Sequence, residues 1–324
     1  MTTRKIVVSS IDNLFLDIYI VGYPRQGESI LCVLREDASI LFVSLVDTYK
    51  PDARENYVAD ILNGIGKPPI DVLVWSHPDE DHSVGISEVM ETFDPNHEAS
   101  VFVPENIANI VENKAKQEFK KLLSWYAPSG KGTKLRTRFN TVSLSYGEVR
   151  TLYNITIFEQ DTNLSVHLYL SFFLPNSSRI NQKALKWDSI KTNEFSIVHS
   201  LTFNGQQYLF CGDLTKNNII LLPERFYSDV KFIKIPHHGS SEPSSLAMKM
   251  MSNGVSEAIS ASTVYSVGGN DNPKDDTISL YRKISKSVFS TGKGTSFDFG
   301  CIKLSLDKKG DLVSSELKGN AVLL

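Results

Sequence analysis

Val72-Leu73-Val74-Trp75-Ser76 runs directly into His77-Pro78-Asp79-Glu80-Asp81-His82. A short apolar run that ends in imidazoles and carboxylates predicts a buried strand whose C-terminal loop gathers metal-competent side chains. Gly85 and a helical stretch to Phe93 follow, so the loop turns from strand to helix. His77 and Asp79, two apart, can point to one side. Asp81 and His82 come where the chain turns, so each pair can serve its own cation. The competing reading is a polar loop of chance composition.

Three other apolar runs end in the same way. Residues 41–46 lead to Asp47, 208–212 to Asp213, and 232–236 to His237-His238. Ligand sites in open α/β sheets lie beyond the carboxyl ends of the strands, so neighbouring strands would bring these ends to one crevice. Asp213 has two oxygens and is the candidate bridge between two ions. The mixture of carboxylate and imidazole suits one or two divalent ions, zinc or manganese. Such an ion lowers the pKa of bound water to about 7 and supplies hydroxide at neutral pH. Each element has a structural alternative: Asp213 and Asp47 as capping residues, the histidine pair as an exposed loop.

The bulk properties narrow the class. A chain of 324 residues with 41% hydrophobic and 22% charged residues reads as a soluble globular protein. The net charge of −3 predicts no general affinity for nucleic acid, so any such binding needs a local patch. No apolar run is long enough to span a bilayer, and the N-terminus reads as a strand rather than a signal peptide. Cys32, Cys211 and Cys301 form no CxxC pair, which fits a reducing cytoplasm.

Strand-like runs fill the first seventy residues and recur from 151 onward, which predicts two sheets with helices outside. Residues 104–126 have helical spacing, and with the loop at 127–138 they suggest a helical, basic insertion around 104–140 in a single domain spanning 1–324. Lys114, Lys116, Lys120, Lys121, Lys131, Lys134, Arg136 and Arg138 crowd there among Trp125, Tyr126 and Phe139. That pattern is either a nucleic-acid track or the solvated face of an amphipathic helix with a loop. His97, His167 and His199 read as structural.

Asp47, the HxDxDH cluster at 77–82, Cys211-Gly212-Asp213 and His237-His238-Gly239-Ser240 together resemble the metallo-β-lactamase fold, and within it the ComEC/Rec2-type branch. Residues 21–30 resemble that branch's N-terminal turn, Asn193 and Ser196 its Asn/Ser pair, and Asn272-Pro273 a late HP element. The resemblance covers about residues 14–306. It implies an α/β, four-layer αββα sandwich with the site at one edge. It implies His77, Asp79, Asp81, His82, Asp213 and one of the two adjacent histidines as metal ligands, with Asp47 holding a ligand or the loop in place. His237 is taken as that ligand, leaving His238, with Asp81 and Asp47, as candidate catalytic groups. Asn193, Ser196, Ser240, Lys131, Lys134 and Arg136 are the candidate substrate contacts. The family's D-x-G is Asp47-Thr48-Tyr49 here, which places Tyr49 where it can intrude on the pocket. A middle histidine is missing, and Asn193 or water is expected in its place.

The function expected is a metal-dependent phosphodiesterase or nuclease acting on nucleic acid or a nucleotide, without a membrane role. A protein partner in a larger system, such as a defence assembly, fits the stand-alone format. The alternatives are hydrolysis of a carboxylic ester, lactone or thioester, and a non-catalytic binding protein on a decayed site.

Overall fold

The computed structural model describes residues 2–51, 56–127, 138–177, 191–293 and 296–324. Two large sheets carry the fold. The eight-stranded sheet runs, in spatial order, Leu312–Gly319, Gly300–Asp307, Leu14–Gly22, Glu28–Glu36, Ser39–Val46, Val72–Val74, Ser100–Pro104 and Phe139–Val142. The nine-stranded sheet runs Thr2–Val8, Arg150–Glu159, Ser165–Leu174, Val198–Phe203, Gln206–Phe210, Val230–Lys234, Ala258–Ser262, Ser285–Ser290 and Val322–Leu323.

Strand alternation explains the layering. Ile30, Cys32 and Leu34 face inward and share one core with Leu168, Leu170, Phe172 and Phe232 of the other sheet. Leu31 and Val33, between them in sequence, pack with Val58, Met90, Phe93 and Phe119 of the outer helices. These strands are covered on both faces, which is why they read as continuous apolar runs. On the far side, Leu209, Ile233 and Ile235 pack with Leu246, Met250 and Ile278 from the helices Ser244–Ser252 and Asp275–Tyr281. The layers are therefore helix, sheet, sheet, helix, as the sequence predicted.

One expectation changes. The single helix expected over 104–126 is broken: Ile107–Ile110 and Asn113–Tyr126 are separate. Val111 and Glu112 are extended, and Asn113 has φ +48°. The helical stretch expected as an insertion around 104–140 also connects strands of the sheet. Asn113–Tyr126 lies between the parallel strands Ser100–Pro104 and Phe139–Val142, so it belongs to the winding of the sheet. Its buried stripe is Ala115, Phe119, Leu122 and Tyr126, and its Glu118 carboxylate accepts the Ser87 N–H at 2.7 Å, in the first turn of Ile86–Phe93. The helix behind the 77–82 loop is thus tied to the helix that follows that loop. Lys131, Lys134 and Arg136 lie outside the described residues.

Candidate metal centre

Four strand ends meet at one edge of the sandwich. Asp47 follows Ser39–Val46 and the 77–82 loop follows Val72–Val74, both in the eight-stranded sheet. Asp213 follows Gln206–Phe210, and the histidine pair follows Val230–Lys234, both in the nine-stranded sheet. The two groups are joined directly, since the Ile197 N–H donates to the Ser76 carbonyl at 2.8 Å. The turns are tight. Asp47, His237 and His238 have φ of +53°, +50° and +51°, a region that Asp and His tolerate better than most residues but at some strain. Gly212 is also left-handed, and a Cβ there would lie 3.0 Å from Ser76 Cβ. A side chain at 212 would press on the serine that orders the site.

Four ligand-type atoms form a closed group. His82 Nε2 and His238 Nε2 are 3.3 Å apart. Asp81 Oδ2 lies 3.7 Å from the first and 3.1 Å from the second. Asp213 Oδ1 lies 3.4 Å and 3.9 Å from the same two atoms. A second, looser group surrounds the other oxygen of Asp213. His77 Nε2 is 3.9 Å from Asp213 Oδ2 and 3.6 Å from Asp79 Oδ2, and His237 Nε2 is 3.6 Å from Asp213 Oδ2. Asn193 Nδ2 donates to that oxygen at 3.1 Å, and the Thr192 hydroxyl donates to Asp79 Oδ1. The two oxygens of Asp213 therefore face different sets of imidazoles.

Hydrogen-bond counting shows which ring nitrogens face inward. The Asp47 carboxylate can only accept. Its Oδ2 faces His82 Nδ1 at 2.9 Å and takes the Ser76 hydroxyl at 2.5 Å, while Oδ1 takes the Ser76 N–H at 2.6 Å. Ser76 has then given its one hydroxyl proton, so at 2.9 Å it accepts from His77 Nδ1. Both rings carry a proton on Nδ1 and turn Nε2 toward Asp213. Asp47 is fully buried and reaches no open space, so it positions two rings and is not a catalytic group in the sense expected.

This arrangement suits a divalent cation. His77 Nε2 and Asp213 Oδ1 are buried without a hydrogen-bond partner, which is costly unless something else satisfies them. Two imidazole Nε2 atoms at 3.3 Å place lone pair against lone pair unless a proton or a cation lies between. Glu28 with His82 and His238, and Asp47 with His77 and His82, are also close enough to hold an ion. Their carboxylates are already engaged, Asp47 by Ser76 and Glu28 by Lys234, so the groups around Asp213 fit better.

The electrostatics agree. Burial pushes the His77 and His82 imidazoles down, but the carboxylates outweigh it: Asp79 and Asp213 hold His77 above 6.5, and Asp81 and Asp213 hold His82 well above it. Burial likewise pushes Asp81 up, yet His82 and His238 bring it down to about 2, and Asp213 lies well below 3.8 for the same reason. The raised imidazoles add stability below 6.5 that is lost as pH rises through their folded values. The depressed carboxylates add stability above 3.8 that is lost as pH falls through theirs. The metal-free cluster is thus most stabilising between those limits, and a cation must displace the Nε2 protons. Zinc is expected to raise the melting temperature more at pH 8 than at pH 6, with protons released on titration; calorimetry in buffers of different ionisation enthalpy checks both, and a pH-independent gain contradicts the reading.

The remaining expected residues are placed as follows. His238 (1% exposed side chain) occupies the closed group, whereas His237 (30%), taken above as the ligand of the pair, stands at the rim. The turn His237–Gly239, with both histidines left-handed, points the second ring inward. Ser196 is fully buried and its hydroxyl accepts the Asp213 N–H at 3.3 Å, so it braces the loop rather than facing a ligand. Ser240 Oγ is buried without a hydrogen-bond partner. Tyr49 does not intrude on the cluster; its ring lies over Gly27 and its hydroxyl accepts from Gln26 at 2.9 Å. His97 stacks on Trp125, His199 is sandwiched between Phe172 and Phe210, and His167 bonds Thr156, all outside the site. Ser76, Thr192, Thr263 and Tyr265 also contribute, and nothing in their sequence context singled them out. Lys234 carried a signal, a charge inside the apolar run Phe232-Ile233-Lys234-Ile235.

No protein-family model matches the chain, and no curated protein matches it in sequence. Among solved structures, it is similar to the metallo-β-lactamase fold protein YhfI from Bacillus subtilis, with TM-score 0.42 and 10% identity over 84% of this chain and 95% of that one. It is also similar to a proposed metal-dependent hydrolase from Parabacteroides distasonis (TM-score 0.40, 14% identity, 85% and 93% covered). A third is a diphosphatase from the PhnP family (TM-score 0.36, 13% identity, 75% and 85% covered). Among the described residues no helix is long and apolar enough to cross a membrane.

Proposed function

We propose that this chain is a metal-dependent hydrolase of phosphodiester bonds, acting on nucleic acid or a nucleotide. The observation that carries the reading is the division of Asp213, one oxygen toward His82 and His238, the other toward His77 and His237. In this reading His82, His238, Asp81 and Asp213 hold one divalent ion, zinc or manganese, and His77, Asp79 and Asp213 hold a second. Ions so held supply an activated water and charge stabilisation for an in-line displacement at phosphorus. His237 stands at the rim, where it can donate to a substrate oxygen. Asn193, which donates to Asp213 Oδ2, helps hold that carboxylate in place.

A cavity of about 380 Å³ adjoins the looser group; Asp79, Glu80 and Glu112 line it together with amides, the Thr192 hydroxyl, Lys191 and the apolar Pro78 and Ile110. Amides, a hydroxyl and a lysine suit a hydrogen-bonding ligand better than an acyl chain, and beside Glu80 and Glu112 an anionic one needs the bound cations to offset the carboxylates. The HxDxDH loop and the His-His-Gly-Ser turn, which resemble the ComEC/Rec2-type branch, support the same choice.

The test is cleavage of labelled single- and double-stranded DNA and RNA, and of bis(p-nitrophenyl) phosphate, with Mn²⁺ or Zn²⁺. Metal-dependent hydrolysis is expected from the native chain and only background from the Asp79→Ala/Asp81→Ala variant. Equal inertness of both on every phosphodiester, with turnover of a p-nitrophenyl ester by the native chain alone, would move the reading to carboxylic esters.

A further inference from the structure

Lys234 and Glu28 are an ion pair that the reaction does not touch. Both are almost wholly buried (0% and 1% exposed), with Lys234 Nζ 2.5 Å from Glu28 Oε2. The lysine also donates to the Ile235 carbonyl at 3.0 Å. A buried ion pair is seldom worth its desolvation as a source of stability, since apolar residues of like volume do as well or better. Its position gives it another use. Glu28 Oε2 accepts the Thr263 hydroxyl at 2.7 Å, and the Thr263 oxygen lies 2.8 Å from His238 Nδ1. These residues come from three neighbouring places: the start of Glu28–Glu36, the end of Val230–Lys234, and the residue after Ala258–Ser262.

We propose that Lys234, Glu28 and Thr263 form a positioning relay that fixes a proton of His238 on Nδ1 and turns Nε2 to the metal centre, where Asp81 Oδ2 lies 3.1 Å from it. The chain of donors has one direction. An ammonium only donates, so Lys234 holds the Glu28 carboxylate as an acceptor. Thr263 has one hydroxyl proton and gives it to Glu28. Its oxygen can then only accept, so His238 Nδ1 must be the donor. The same logic runs from Asp47 through Ser76 to His77, but there the first link is a lone carboxylate. On this side it is an ion pair, which places a charge-neutral group under the closed site.

The proposal rests on the metal-centre reading for its purpose, but the proton placement is measurable without it. In the full chain labelled with ¹⁵N-histidine at pH 8, long-range ¹H–¹⁵N correlations are expected to show His238 protonated on Nδ1. The signal is assigned by its loss in His238→Asn. Thr263→Val removes the acceptor, and zinc affinity, read by competition with a chelating dye, is expected to fall about ten- to a hundredfold. Thr263→Ser is expected to restore both affinity and proton placement. Glu28→Gln offers Thr263 an amide donor, frees its hydroxyl to donate to Nδ1, and is expected to raise the Nε2-protonated fraction. A native chain whose His238 carries no proton on Nδ1 overturns the relay, as does Thr263→Val with native affinity and native proton placement. Should Thr263→Val not fold, the native spectrum decides alone. A native chain that binds no zinc but carries the Nδ1 proton keeps the relay and removes the proposed function.

Discussion

Asp213→Asn is expected to abolish the thermal stabilisation that zinc or manganese gives the native chain. The substitution keeps the shape of the side chain and removes its charge. One of its two acceptor positions becomes an NH₂ group that faces imidazole Nε2 atoms 3.4–3.9 Å away. Deleting one partner of a buried charge cluster costs about 3–5 kcal/mol, a factor of roughly 10²–10⁴ in a binding constant. At a hundredfold excess over its native dissociation constant, a metal adds about 2.7 kcal/mol to stability, which is a rise on the order of 5 °C. The variant should show none of it. Differential scanning calorimetry with metal analysis of the dialysed protein measures both. A variant that keeps a full metal complement and the native rise would show that Asp213 is not the shared ligand.

Asp47→Asn should be nearly as damaging, although Asp47 lies behind the site. Asparagine accepts the left-handed backbone at φ +53°, so loss of function would not trace to the turn. The damage is one of donors and acceptors. Oδ2 takes both the Ser76 hydroxyl and His82 Nδ1, and Oδ1 takes the Ser76 N–H. An amide must point its NH₂ at one of these donors in either orientation. A buried donor left without an acceptor costs about 1–3 kcal/mol. Because His77 hangs from the same carboxylate through Ser76, both metal groups are disturbed together. Metal affinity is expected to fall about ten- to a hundredfold, with a lower midpoint in urea for the metal-free protein. Native affinity in a stably folded Asp47→Asn would remove Asp47 from the account.

The parts of this site that could be read from the sequence are those that local chemistry marks. An apolar run ending in clustered imidazoles and carboxylates signals a strand and a loop, whatever surrounds it, and residues 72–82 did so unaided. Asp47, Asp213 and the histidine pair were legible because each stops an apolar run, and the strand order then brings those stops together. The inward member of the pair was not legible. It depends on two consecutive left-handed residues, and the sequence His-His-Gly permits either ring to face in. Thr263 and Ser76 were invisible for a different reason. A hydroxyl at a strand end is common, and these matter only through what they bond: Thr263 lies 2.8 Å from His238 Nδ1, and Ser76 links the Asp47 carboxylate to the neighbouring His77 ring. The break at 111–112 was missed because the helical spacing of Ile107, Ile110 and Val111 resumes in step at Ala115, Phe119 and Leu122 beyond it.

The halves of the centre come from opposite layers of the sandwich. Asp47, His77, Asp81 and His82 hang from the eight-stranded sheet, while Asp213 and His238 hang from the nine-stranded one. A cation gripped by both would act as a rivet at one rim of the stack. Affinity and sheet docking then become one quantity seen from two sides. Anything that lets the layers slide would loosen such an ion, and a chelator that drew it out would let the layers breathe at that rim first.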